Sequence, residues 1–270
     1  MILLHVTVVA LYGLTAVALW PAATTQGGPG GRLPAGAAAW LLPVVLLLHA
    51  WLGWQEVVTP EGLDLSFANA LSVVAGLIAA VAWVSGLLTT LPAIGTVVLP
   101  VAAVASVLPA LFAGPHRFEY GGAPLATAHV AVALVSYAIF LVAALQALVL
   151  MGLEKRLHRR LPDPESAALP PLLTLERFLF RLIAVGFVLL TLTLMSGMLF
   201  TEQLFGKPLQ FTHKSVFSLL GWLTFGALLF GRWRYGWRGR VALRWIIAGT
   251  VFVFLAYLGY KFVLEVLLGR

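Results

Sequence analysis

Five of the six histidines, His5, His49, His116, His129 and His213, fall toward the same end of the apolar stretches that contain or adjoin them, and only His158 falls toward the other. A neutral imidazole offers a lone pair to a metal or to haem iron, so this distribution places a set of ligand nitrogens at one level. The rest of the chain is poor in chemistry, with ten acidic residues and no cysteine. Without a thiol it cannot itself reduce a partner's cysteines or hold a thiolate-ligated cluster.

The five histidines are not equivalent. A chain-end residue such as His5 and a loop residue such as His116 reach water easily and are expected to be bystanders. His49 and His129 sit inside apolar runs, where a neutral imidazole needs a partner. Zinc sites bring three or four ligands at short local spacings, such as two histidines four apart, and no such pair occurs here. Well-separated histidines on different helices suit axial coordination of haem iron, because the macrocycle fills the gap between helices. Aromatic cover lies near both: Trp51 and Trp54 after His49, and Phe200, Phe205 and Phe211 before His213. Interfacial aromatic belts account for such residues equally well.

The elements that position these residues are membrane helices. The chain is 61% hydrophobic and only 10% charged, with a mean hydropathy of +1.00, whereas soluble domains carry about a quarter charged residues. Crossing a hydrocarbon core takes roughly 20 apolar helical residues. Eight such segments are expected, over residues 2–21, 36–55, 67–88, 91–112, 126–152, 178–201, 214–231 and 245–267. They form a single all-α integral membrane domain spanning 1–270, with no internal repeat of the transporter kind. The first segment is too long and too weakly charged for a cleaved signal and is expected to stay as an anchor. Pro170 and Pro171 break the chain before the sixth segment, with Thr174 as its expected cap. Small residues in the third to fifth segments suit close packing in lipid.

Basic residues set the orientation. The loop after the fifth segment holds Lys155, Arg156, Arg159 and Arg160, with Arg177 and Arg181 beyond it, and the loop after the seventh holds Arg232, Arg234, Arg238, Arg240 and Arg244. The even-numbered loops carry only Arg117, Lys207 and Lys214, and the loop after the second segment carries Glu56, Glu61 and Asp64 with no base. By the positive-inside rule the odd-numbered loops are cytoplasmic and both termini extracytoplasmic. The net charge of +7 then reflects orientation and anionic lipid, with no nucleic-acid partner required.

Particular strings carry a family resemblance. HVAVALVSYAIF from His129 to Phe140, LSFANAL at 65–71, THKSVFSLLGW at 212–222 and GWRGR at 236–240 resemble the CcsA-like cytochrome c assembly family. HAWLGW after Leu48 and LERFLFRLIAVGFVLLTLTLMSG at 175–197 look most like its compact inner-membrane branch, YpjD. The resemblance covers nearly the whole chain. It implies an inner-membrane, multi-pass bacterial protein that handles haem b at the extracytoplasmic face and works with other cytochrome c maturation proteins. An assembly factor or haem chaperone is implied rather than an enzyme. The alternative is a transporter or regulatory subunit whose outward cavity takes a non-haem ligand. An electron-carrying cytochrome b with two haems fits poorly, since only His158 lies toward the inner face.

Residue by residue, His129 matches the family's outward histidine preceding the Ser136–Tyr137 pair, and Ser136, seven residues on, shares its helix face. The family's tryptophan-rich outer loop corresponds to 200–214, read here as FTEQLFGKPLQFTHK, with Phe200, Phe205 and Phe211 where tryptophans stand, Thr212 for the aspartate, His213 for the proline and Lys214 kept. Haem-delivering members also have a histidine late in the seventh helix and another beyond the last; Phe230 occupies the first position, and the given sequence ends at Arg270 without the second. The resemblance therefore implies haem binding through His129, with His49 or His213 as second ligand, more than a full haem relay. Lys207, Lys214 and Lys261 are candidate propionate partners, while Lys261 and Glu265, four apart, are spaced to pair with each other.

Overall fold

A computed structural model of the chain describes residues 2–19, 35–59, 62–88, 94–112, 117–118, 124–158, 172–205 and 213–267. Nine α-helices are described: α1 (Ile2–Leu19), α2 (Ala35–Val57), α3 (Phe67–Leu88), α4 (Ile94–Ala105), α5 (Leu108–Leu111), α6 (Pro124–His158), α7 (Leu172–Phe205), α8 (His213–Tyr235) and α9 (Gly239–Phe254). The last continues through two π-helical segments, Leu255–Gly259 and Phe262–Leu267. Six stretches are long and apolar enough to cross a membrane: Trp40–Val57, Phe67–Leu88, Pro124–Lys155, Leu172–Leu199, His213–Tyr235 and Gly239–Glu265. Ile2–Val17 and Val97–Leu111 are apolar but shorter.

The differences from the expected segments have local causes. The fourth is interrupted: α4 ends at Ala105, and Ser106 and Val107 form a turn before α5. Pro109 has no N–H to donate back to Ala105, and the Ala110 N–H bonds Val107 O at 3.0 Å instead of Ser106 O. That leaves the Ser106 carbonyl outside the helical ladder. The sixth begins at Leu172, so Thr174 lies inside α7 and is not its cap. The charged turns around the fifth and sixth segments stay helical beyond the apolar core, since Glu, Lys and Arg are good helix formers.

A small sheet was not anticipated. β1 (Val58–Thr59), β2 (Gly62–Asp64) and β3 (Arg117–Phe118) pair antiparallel in the order β1-β2-β3, with Leu63 opposite Phe118 and Asp64 opposite Arg117. It ties the connection after α2 to the one after α5. Ser66 then starts α3: its N–H bonds Asp64 Oδ1 at 3.0 Å, and its hydroxyl accepts the Asn69 N–H at 3.4 Å, as an N-cap does.

Contacts divide the chain into two compact units, one built from α1 to α5 with the sheet and the other from α6 to α9. In the first, α1 and α3 each pack on both α2 and α4. In the second, α6 packs on α7, α7 on α8, α8 on α9 and α9 on α6, closing a four-helix bundle. Lipid tails are as apolar as leucine, so close fit, more than apolar burial, holds such helices together. Phe140 and Phe225 stack at the centre of the second unit with centroids 3.9 Å apart. Glycines make room for them: a Cβ at Gly186 would meet Phe140 at 3.0 Å, and one at Gly249 would meet Phe225 at 2.9 Å. The tight turn from α8 to α9 uses Gly236 (φ 67°) and Gly239 (φ 52°), left-handed conformations that glycine adopts without steric cost.

Candidate functional site

His129 lies about one turn into α6. Its Nδ1 is 2.8 Å from Ser196 Oγ on α7. The Ser196 hydroxyl donates to the Leu192 carbonyl at 2.7 Å, with Thr193 O at 3.1 Å as a second acceptor. A hydroxyl has one proton, so with that proton on a backbone carbonyl Oγ accepts from the imidazole. In that arrangement Nδ1 carries the hydrogen and the lone pair of the neutral ring is on Nε2. Gly197 keeps the approach close, since a Cβ there would come within 3.3 Å of His129 Cε1.

Cations and phenols join this histidine. Lys214, in the first turn of α8, is near enough to His129 for their charges to interact, and its Nζ lies 5.4 Å from the Tyr257 ring centroid. Lys214 also interacts electrostatically with Lys261, whose Nζ pairs with Glu265 Oε1 at 2.7 Å, as the spacing of four predicted. Tyr137 packs against Tyr257 with centroids 5.9 Å apart. The Tyr257 hydroxyl is buried and has no hydrogen-bond partner among the described residues, an unmet demand that costs about 1–3 kcal/mol.

The other sequence candidates fall elsewhere. Ser136, fully buried, donates to Gly186 O at 3.0 Å and joins α6 to α7. His213 is exposed at the start of α8. Phe205 ends α7, whereas Phe211, Lys207 and His116 lie outside the described residues. His49 is in the first unit with both ring nitrogens engaged, Nδ1 with Tyr12 OH at 2.9 Å and Nε2 with Ser72 Oγ at 3.1 Å. Gly76 presses on that ring, where a Cβ would stand 3.1 Å away.

His5, expected to be a solvated bystander, is only 3% exposed. Its Nδ1 donates to the Ser106 carbonyl at 2.6 Å, the group that the break before Pro109 released. Its Nε2 is 2.8 Å from Glu56 Oε1. A carbonyl only accepts, so Nδ1 must carry a hydrogen, and one further proton is shared between Nε2 and the carboxyl group. His5 and Tyr12 are seven apart on α1, and His49 and Glu56 are seven apart on α2. The helices therefore meet as a polar ladder, His5 on Glu56 and Tyr12 on His49. Reading residues singly missed this pairing, although the shared spacing was its signal. Ser196 was missed too, its signal being a hydroxyl beside a glycine in an apolar run.

Together these features define a polytopic helical membrane protein with a histidine–lysine–tyrosine site in its second bundle. The profile of the cytochrome c assembly protein family matches residues 39–268, and the chain belongs to that family. It is similar to the inner membrane protein YpjD of Escherichia coli, with 36% identity over 140 residues, 52% of this chain and 52% of the relative. It is also similar to the cytochrome c biogenesis protein CcsA of Thermosynechococcus vestitus, with 28% identity over 211 residues, 62% of this chain and 66% of the relative. The aligned part spans about half the length of YpjD. No solved structure matches the chain.

Proposed function

We propose that this chain binds haem b at the extracytoplasmic end of its second unit and serves cytochrome c maturation or haem handling in the bacterial inner membrane. The observation that carries the reading is the 2.8 Å contact between His129 Nδ1 and Ser196 Oγ: with the Ser196 proton on its own helix backbone, Nδ1 donates and Nε2 would be the atom that holds haem iron. Such an outer hydrogen bond is the usual companion of a metal-binding histidine. Haem, when bound, would supply a redox-active iron, and His129 is the residue of this unit that would hold it. Among the described residues no three His, Asp or Glu side chains converge to hold a bare metal ion.

The remaining residues take supporting roles. Lys214 and Tyr257 would hold a propionate, the first by its charge and the second by its unpartnered hydroxyl. Ser136 keeps α6 on α7 so that His129 holds its position, and the family resemblance alone makes Phe205 and Phe211 candidates for covering the macrocycle. His213, exposed beside Lys214, would be the second residue to hold the iron; both ring nitrogens of His49 are already engaged, with Tyr12 and Ser72. With no cysteine in the chain, the cofactor is held without thioether bonds. The relatives' names, an inner membrane protein and a cytochrome c biogenesis protein, support both the location and the process.

The proposed topology has eight crossings with both termini extracytoplasmic. The sheet supports it by joining the second and fourth connections, and Arg232, Arg234, Arg238 and Arg240 cluster at the opposite end of α8 from His213. The test is a reduced-minus-oxidised spectrum of protein purified in mild detergent from haem-replete cells. A haem signal that disappears in His129→Ala is expected; a colourless wild-type preparation would overturn the reading.

A further inference from the structure

The end of the second unit opposite His129 contains a cavity of about 340 Å³ between α6, α7 and α9. Its walls are apolar, with Leu150, Met151, Leu179, Phe180, Leu243 and Ile246 facing in. Its rim carries Glu154, Glu176, Arg238 and Arg240. Both carboxylates are engaged, Glu154 having a partner of its own. Glu176 is already paired with Arg232 at 2.7 Å, and that guanidinium lies over the Phe180 ring at 4.4 Å while also donating to Trp237 O at 3.1 Å. Arg238 and Arg240 are exposed and have no carboxylate partner among the described residues. The rim thus presents two unpaired guanidinium groups beside an apolar hollow.

We propose that this cavity is a binding site for one acidic phospholipid, with an acyl chain in the hollow and the phosphate on Arg238 and Arg240. Charge complementarity selects this occupant. A zwitterionic lipid brings an ammonium group to a rim that is already basic, and a free phosphate leaves the apolar walls unfilled. Guanidinium groups form forked hydrogen bonds to phosphate oxygens, and basic pockets between membrane helices on the cytoplasmic side are suited to anionic headgroups. Under the proposed topology this is the cytoplasmic end. The ligand would bridge α6, α7 and α9 where the arginine-bearing turn enters the bundle. This inference does not depend on haem binding.

Native mass spectrometry of the full chain, delipidated and then exposed to equimolar phosphatidylglycerol and phosphatidylcholine with and without inorganic phosphate, tests it. The wild type is expected to retain one phosphatidylglycerol at least fivefold over phosphatidylcholine. The double variant Arg238→Gln/Arg240→Gln should lose that preference at least fivefold. Arg177→Gln/Arg234→Gln, which removes the same charge from exposed positions outside the cavity, should keep it. Ala242→Phe, which fills the hollow and leaves the arginines in place, should also lose the lipid. Equal loss in both arginine pairs, equal retention of the two lipids, or full displacement by inorganic phosphate would overturn the proposal.

Discussion

At the residue scale, the proposed role of His129 rests on its 2.8 Å contact with Ser196. Ser196 commits its proton to the backbone of its own helix, so its oxygen is left to accept from Nδ1. Replacing Ser196 by alanine removes that acceptor, and the imidazole proton should redistribute to Nε2. In apo protein labelled with ¹⁵N-histidine, the wild type and Ser196→Thr should show His129 as the Nδ1–H tautomer, with a substantial Nε2–H population appearing only in Ser196→Ala. An unchanged tautomer in Ser196→Ala would remove Ser196 from the mechanism whether or not haem binds. The same scale explains the correction at His5. Position near the chain start argued for solvation, but burial, a released carbonyl and Glu56 gave the ring two partners instead.

At the element scale, stability rests on how closely helices approach. A Cβ at Gly221 on α8 would stand 2.7 Å from Val253 Cγ2 on α9, whereas one at Gly226 would meet Phe187 at an ordinary 3.4 Å. Gly221→Val should cost about 1–3 kcal/mol by overpacking, while Gly226→Ala should be nearly neutral. The midpoint of unfolding in mixed SDS micelles measures both. The helices themselves were legible because continuous apolar runs leave the backbone no other way to satisfy its hydrogen bonds in lipid. The break at Ser106 and Val107 was less so: Pro100 sits inside α4 without ending it, whereas Pro109 lies just past the break. A proline marks a missing donor, and packing decides whether the helix continues.

At the scale of the whole molecule, orientation is the property with most consequence, because the proposed topology would put the His129 site and the arginine cavity on opposite faces. Absence of cysteine makes it directly measurable. His213→Cys and Arg234→Cys mark the two ends of α8 at exposed positions. A membrane-impermeant maleimide should label the first in intact spheroplasts and the second only after lysis; the reverse pattern would invert the topology. The sequence by itself determined the membrane class, the long apolar helices, the charge asymmetry and the family, since each follows from composition or local order along the chain. It also singled out His129. Only the tertiary structure decided which groups face the imidazoles of His5, His49 and His129. An imidazole's tautomer, its availability as a ligand and its charge depend on which group faces each nitrogen, and those groups come from distant positions: Ser196 for His129, Glu56 and Ser106 for His5, Tyr12 and Ser72 for His49.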